Sequence, residues 1–512
     1  SRVSVDLSTL IGGSSSDDGI AVVQAHDGSI VIAGNTASDD FPDVDPNSVL
    51  GGVRDGYVMK VDPRSGAAAW ATLIGGAGMF DQVLEIATDS KGWIYLTGFT
   101  DSMDLPTSEH AYQRDIHGDS DAFLAILDPY GALIYSTYLG GDGNDGGFGI
   151  AVGPSGDIFV CGFTDSLDFP LAGSPIQASL SGRSDAFVSR FSPDGLLLAS
   201  SFLGGTGDDV ADAITVDTSR RLFLTGSTNS ADFPVFNPHQ GTFGGGRLDS
   251  FYLSVDPSLS ELRFASFLGG SAEDRPSRAN IIVGDSGDLF LVGSTASRDF
   301  PTTRGAFQTT FGGGSFDGYG ASVDAVSGAL VSSSFIGGGG SDFANGIAQD
   351  TFGQLWIAGA TSSQDFPLPS NLRGMLSGAD DAFLLSVGPN LRTVVLSAFI
   401  GGSLPDTAWD VAAGRGRLVH VVGTSSSVDF PLTHPTTSLN GLSDILLVSI
   451  APVRCWGDCN FDGQVSVDEV LAVVSIALGT VKTSCRLGDT NQDGRITVDE
   501  IVRSVSSALS DC

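Results

Sequence analysis

Two stretches of the chain place oxygen-bearing side chains at the spacing of a cation loop. Residues 458–469 read Asp-Cys-Asn-Phe-Asp-Gly-Gln-Val-Ser-Val-Asp-Glu, and residues 489–500 read Asp-Thr-Asn-Gln-Asp-Gly-Arg-Ile-Thr-Val-Asp-Glu. Both fit in full the twelve-residue loop that surrounds Ca2+ with oxygens at about 2.3–2.6 Å. Asp458, Asn460 and Asp462 supply side-chain oxygens at alternate positions, as do Asp489, Asn491 and Asp493. Gln464 and Arg495 offer backbone carbonyls, Ser466 and Thr497 reach the ion through water, and Glu469 and Glu500 close the shell bidentately. Gly463 and Gly494 permit the sharp turn. The plainer alternative is a pair of Asp-rich turns. Two complete loops, each running into a helical apolar pattern, favour two bound calcium ions.

Little else in the chain spells chemistry. There is no His-Glu-x-x-His, no Gly-x-Ser-x-Gly and no phosphate-loop motif. Gly141-Asp-Gly-Asn-Asp-Gly146 matches a dinucleotide fingerprint in letters, but it leads into a strand pattern at Phe148–Val152, where that fingerprint needs a helix. The net charge of −35 excludes a phosphate-backbone binder, so no nucleic-acid partner is expected. No apolar run approaches the roughly 20 residues of a membrane helix. The chain begins at Ser1 without a signal-like segment and reads as a mature, processed chain.

Composition points to short strands and many turns. Only six of the 60 acidic residues are Glu, leaving 54 Asp, which favours turns and caps. Gly and Pro number 69 and 21, yet 41% of residues are hydrophobic, which a disordered chain would not carry. Four of the five Cys (Cys455, Cys459, Cys485 and Cys512) crowd into the C-terminal stretch. They suggest two disulfides and an oxidising compartment, extracellular or at the cell surface, with a four-Cys zinc site as the rival. Cys455 and Cys459 are close in sequence, so cross-links between the two loop repeats are favoured, with the pairing left open. One such bridge, closing about 30 residues, contributes ~3–4 kcal/mol. Cys161, alone in an apolar strand pattern, reads as an inert core thiol.

An internal repeat dominates the rest. Asp-Phe-Pro begins at Asp40, Asp168, Asp232, Asp299, Asp365 and Asp429, with Asp-Leu-Pro at Asp104, and a Leu/Ile-Gly-Gly signature also occurs seven times. Successive spacings are 64 residues, except 67 and 66 around Asp299. Within a unit, Ala213–Asp217, Leu222–Gly226, Asp249–Val255 and Leu262–Leu268 alternate or are β-rich. Seven units of four strands describe an all-β, seven-bladed β-propeller over residues 1–450. The last unit stops after its third strand, so Val3–Ile11 is expected to complete that blade and close the ring. The Phe of each Asp-Phe-Pro turn plugs the core, the second strand ends on a Gly where backbones approach closely, and His420 sits at an aromatic packing position.

Gly162-x-Thr-x-Ser-x-Asp-Phe-Pro170 followed by Asp185-Ala-Phe187 resembles the seven-bladed beta-propeller repeat family of bacterial extracellular proteins. The resemblance covers all seven units and implies a fold but little about activity. Residues 451–512 form a second, small α-helical domain with paired EF-hand-type loops. Gly457-Asp-x-Asn-x-Asp-Gly463 and Gly488-Asp-x-Asn-x-Asp-Gly494 resemble a dockerin module. Dockerin loops usually end in Asp, whereas these end in Glu469 and Glu500. Val467-Asp468 and Val498-Asp499 replace the Ser/Thr pair used for cohesin recognition.

The two helices also differ. Both keep one apolar face, Val470, Leu471, Val474 and Leu478 in the first, and Ile501, Val502, Val505 and Leu509 in the second. The first adds Val473 and Ile476, a second stripe expected to touch the propeller or a protein partner, another copy of the chain included. In the first strand of each unit, nearest the axis, one position is Val or Ile in every blade, and at the adjacent position Glu85, Asn280 and Asp410 stand where the other blades have Ala or Gly. They could line a cation or sugar pocket, although solvated channel residues are the simpler account. The sequence thus reads as a non-catalytic, secreted, calcium-binding scaffold, able to self-assemble into filaments or a surface layer. A polysaccharide- or receptor-binding adhesin and a propeller enzyme acting on polysaccharide are the alternatives.

Overall fold

The computed structural model describes residues 3–42, 50–367, 376–413, 418–433, 438–452, 456–459, 465–479, 485–490 and 495–509. Their strands form seven antiparallel four-stranded sheets. Blade 1 runs Asp17–Gln24, Ile30–Thr36, Asp55–Val61 and Ala68–Ile74, and blades 2 to 6 open at Asp81, Asp145, Asp209, Asp274 and Asp342. Blade 7 joins Asp406–Ala413, Val419–Ser425 and Asp444–Pro452 to Val3–Ile11 from the other end of the chain. Val3 pairs with Pro452 and Ile11 with Ile445, so the ring closes as the repeat count requires.

The blades cohere because each sheet buries both faces against its neighbours. Middle strands such as Ile30–Thr36 and Asp121–Leu127 are buried along their whole length, which explains their near-continuous apolar sequence. Core clusters mix residues of adjacent blades, as where Val160 and Phe187 of blade 3 meet Leu124 and Leu139 of blade 2. The turn phenylalanines do plug this core. Phe169, Phe233, Phe300 and Phe366 lie 4.4–4.6 Å from the ring of an aromatic residue on the third strand. His420 is buried with Nδ1 2.8 Å from Ser449 Oγ, and burial lowers its pKa to about 4. Cys161 is likewise buried.

The recurrent aspartates tie the turns together. Asp17 accepts hydrogen bonds from Thr36 Oγ1 (2.5 Å), Ser38 Oγ (2.8 Å) and the Gly13 N–H (2.7 Å). The same Thr, Ser and Gly donors meet Asp81, Asp209, Asp274 and Asp342. In blade 1 this residue is Asp17, and its neighbour Asp18 instead pairs with Arg54. The Gly two residues before the end of each second strand faces the carbonyl of a bulged first strand. A Cβ on Gly98 would sit 1.7 Å from Gln82 O, and one on Gly162 1.8 Å from Gly146 O.

After the ring come two helices, α1 (Val467–Ala477) and α2 (Val498–Leu509). A disulfide joins Cys459 to Cys485 and so links the two loop repeats. Cys455 and Cys512 lie outside the described residues. Trp456 packs edge-on against Phe352 of blade 6, with ring centroids 5.6 Å apart.

Candidate functional site

Two places concentrate chemistry, the paired C-terminal loops and the axis of the ring. In the loops, Asn460, Asp462, Gln464, Asn491 and Asp493 lie outside the described residues. Asp458, Ser466, Glu469, Asp489, Arg495, Thr497 and Glu500 are described. Asp458 is only 2% exposed. Glu469 and Glu500 are buried and make matching bonds. Glu469 Oε1 accepts the Cys459 N–H (2.9 Å) and Oε2 the Ser466 N–H (2.9 Å). Glu500 Oε1 accepts the Thr490 N–H (2.8 Å) and Oε2 the Thr497 N–H (2.8 Å). Each carboxylate therefore spans its loop from position two to position nine. Ser466 also caps α1, with its side chain accepting the Glu469 N–H. Among the described residues, no group of three or more His, Cys, Asp or Glu side chains is close enough to hold a metal.

These glutamates decide which helix faces turn inward. A residue four places on shares the face of the buried Glu, so Val473 and Ser504 are both 0% exposed. The outward stripe expected at Val473 is therefore corrected. Val473 packs inside the module, where a Cβ on Gly488 would lie 3.0 Å from its Cγ2. Its counterpart must be small, since a Cβ on Gly457 would lie 2.6 Å from Ser504 Cβ. Ile476 is half-buried. The apolar residues left outside include Leu471 (57% exposed), Leu478 (73%), Val498 and Val502, and of these Leu471, Leu478 and Val502 belong to the apolar faces read from the sequence.

At the axis, the first strands of the blades enclose a cavity of about 600 Å3. Aliphatic side chains, among them Ile150, Ile214 and Ile347, form much of its wall, and Glu85 and Asp410 interrupt it as the sequence suggests. Asp410 accepts the Val22 N–H of blade 1 (2.8 Å) and the Val411 N–H (2.7 Å), so both its oxygens are engaged. Burial raises its pKa to about 7. Glu85 Oε1 accepts the Ile86 N–H at 3.0 Å. Burial, and then Asp410, push its pKa well up, against the pull of the Ile86 N–H and Arg278. The side chain of Asn280 lies outside the described ones.

Sequence patterning misses Arg278. The first strand of blade 5, Asp274–Val283, has ten residues where that of each other blade has eight. Residues 277–280 sit between its paired positions Pro276 and Ile281. This strand reaches across the ring to the first strands of blades 2, 3 and 7. Arg278 stacks over Phe148 at 4.9 Å, within the field of Asp212 and Glu85. Burial raises the Asp212 pKa to about 7, although Arg278 opposes it. The available signal was the 67-residue spacing before Asp299.

Residues 203–234 match the family model SBBP, a beta-propeller repeat. The match covers the end of blade 3, the first two strands of blade 4 and its Asp-Phe-Pro turn. No curated protein matches the chain. Similar solved structures include a protein of unknown function from Dyadobacter fermentans DSM 18053, with 10% identity over 88% of this chain and 99% of that one, and a TM-score of 0.43. The quinohemoprotein alcohol dehydrogenase of Comamonas testosteroni shows 9% identity over 88% and 77%, with a TM-score of 0.39. BamB from Moraxella catarrhalis shows 10% over 86% and 85%, with a TM-score of 0.35. Likenesses this distant carry no argument about activity.

Proposed function

We propose that the chain is a non-catalytic, calcium-dependent scaffold of an oxidising, extracellular compartment. The propeller is its rigid body, and the dockerin-like module at residues 451–512 is its calcium-folded attachment. The observation that carries this reading is the identical closure of the two loops by Glu469 and Glu500. Each carboxylate is buried and accepts N–H bonds from positions two and nine of its own loop, and position twelve is where a calcium loop supplies its bidentate carboxylate. The Asp458 carboxylate, buried at the start of its loop, adds a group whose charge a divalent cation would offset. Asp462 and Asp493 would complete the oxygen sets.

The repeated aspartates of the ring serve its turns, and both Asp410 oxygens hold backbone, which leaves few groups for catalysis. The Cys459–Cys485 bridge favours an oxidising compartment. A protein partner, a second copy of the chain being one, would seat on the outward faces of α1 and α2, where Leu471, Leu478, Val498 and Val502 stand exposed.

Calorimetric titration of CaCl2 into the chelator-treated full chain is expected to show two ions bound, with Glu469→Gln and Glu500→Gln each losing one. Absence of binding heat together with unchanged helical circular dichroism would remove the reading. Light scattering on the same samples tests self-assembly: a mass that rises with calcium means that a second copy binds, and an unchanged mass removes self-assembly from the reading.

A further inference from the structure

We propose that the axial cavity is a binding site for an organic ammonium ion, a primary or secondary amine carried on an aliphatic body. Three features of the cavity select this class. Its volume, about 600 Å3, suits a small organic guest. Val and Ile side chains of the first strands, Val22, Ile150, Ile214 and Ile347 among them, supply apolar wall that matches an alkyl body, beside polar groups such as Gln24 and Gln349. The ionisable groups on its lining are all acidic, namely Glu85, Asp285, Asp350 and Asp410, with no Lys, Arg or His among them.

The four acids have different duties. Asp410 holds two backbone N–H groups. Asp350 accepts the Phe352 and Gln354 N–H groups and the Trp356 indole N–H. The Asp285 N–H is tied to Gln349 Oε1 of the next blade. Glu85 spends one oxygen on its neighbour's N–H, which makes it the anchor for the ammonium group. Arg278, near Glu85 and Asp212, belongs to the segment crossing from blade 5, the feature that makes this axis unlike a plain sevenfold channel.

Burial and Asp410 favour protonated Glu85 in the empty cavity. On binding, the Glu85 carboxyl gives its proton to the buffer, and the carboxylate pairs with the incoming ammonium. Asp410, Asp285, Asp350, Asp212 and Arg278 set the field in which this exchange takes place. No covalent bond forms or breaks beyond that proton transfer.

The test is calorimetry on the full chain with n-hexylamine, cyclohexylamine and spermidine, each in two buffers of different ionisation enthalpy. Hexanol and maltotriose serve as neutral probes. At least one amine is expected to bind with release of up to one proton. Glu85→Gln should weaken it tenfold or more and abolish the proton release. Glu261→Gln, which alters an exposed acid in a turn of blade 4 that is not on the lining, should change affinity less than threefold. Thermal melts establish that both variants fold. The proposal is overturned if no amine binds at millimolar concentration, if Glu85→Gln binds as the parent does, or if hexanol binds as tightly as n-hexylamine.

Discussion

Deletion of residues 1–11 is expected to abolish the cooperative thermal transition of the propeller or to lower it by more than about 15 °C. Val3–Ile11 is the fourth strand of blade 7, paired along its length with Asp444–Pro452. It also ties back to the segment before it in space, where Ser8 Oγ donates to Pro431 O (2.5 Å) and Ser8 N–H to Thr433 Oγ1 (2.8 Å). Leu7 and Leu10 are buried in two different core clusters, and emptying each site costs about 2–5 kcal/mol. Deletion adds an exposed strand edge on blade 7, which invites association with other chains. Differential scanning calorimetry reads the effect, and a synthetic 1–11 peptide should restore part of the lost stability. A truncated chain that melts like the full one would mean that the ring does not depend on its closure.

The propeller should be more stable near pH 5 than at pH 8. Each blade junction buries two aspartates around the first Gly of a Gly-Gly pair. A Cβ on Gly140 would lie 2.5 Å from Asp121 Oδ1 and 2.7 Å from Asp145 Oδ2, and Asp444 and Asp17 crowd Gly12 in the same way. Burial, with a contribution from Asp145, raises Asp121 to about 7. Asp249 rises to about 7, and Asp145, Asp209, Asp274, Asp317 and Asp444 to about 6, with burial the largest cause throughout.

In the unfolded chain these groups titrate near 3.9, so between about pH 4 and pH 7 the folded ring binds more protons. Stability therefore falls as pH rises through that window, and above it the penalty is constant. Exposed caps such as Asp40 and Asp429, whose backbone hydrogen bonds lower their pKa, act the opposite way only below about pH 4. Melts in chelator, which isolate the propeller, should show Tm about 5–10 °C lower at pH 8 than at pH 5. Asp121→Asn should raise Tm at pH 8 and change it little at pH 5. The amide oxygen can accept from Gln113 and His117, as Asp121 Oδ2 now does, and its NH2 replaces the unpartnered Oδ1. A flat or rising Tm from pH 5 to pH 8 would contradict this assignment.

Much of the ring is legible in the sequence because each blade repeats its own physical solution. The turn after the second strand needs its apolar residue buried, Phe in six blades and Leu105 in the other, and the second strand needs a Gly where a carbonyl crowds it. Closure is legible too, because Val3–Ile11 carries a fourth-strand pattern and pairs with the third strand of the seventh unit. Three things are not legible, for stated reasons. Asp17 and Asp18 are adjacent acids, and it is the folded turn, where Thr36, Ser38 and the Gly13 N–H all meet Asp17, that tells them apart. Arg278 lies in an insertion that appears in the sequence only as a longer spacing, with nothing to say that the extra residues cross the axis. The inward helix face is set by the buried carboxylates of Glu469 and Glu500. Hydropathy ranks Leu471 and Val502 as core, but a face that must deliver a carboxylate to its loop carries Val473 and Ser504 in with it.

The most direct test of the calcium-folded scaffold is hydrogen–deuterium exchange of the full chain, with calcium and after chelation. Peptides within 465–509 should lose most of their protection when calcium is removed, while blade peptides from Asp17 to Ile450 keep theirs. Protection in α1 and α2 that is indifferent to the ion would contradict the account.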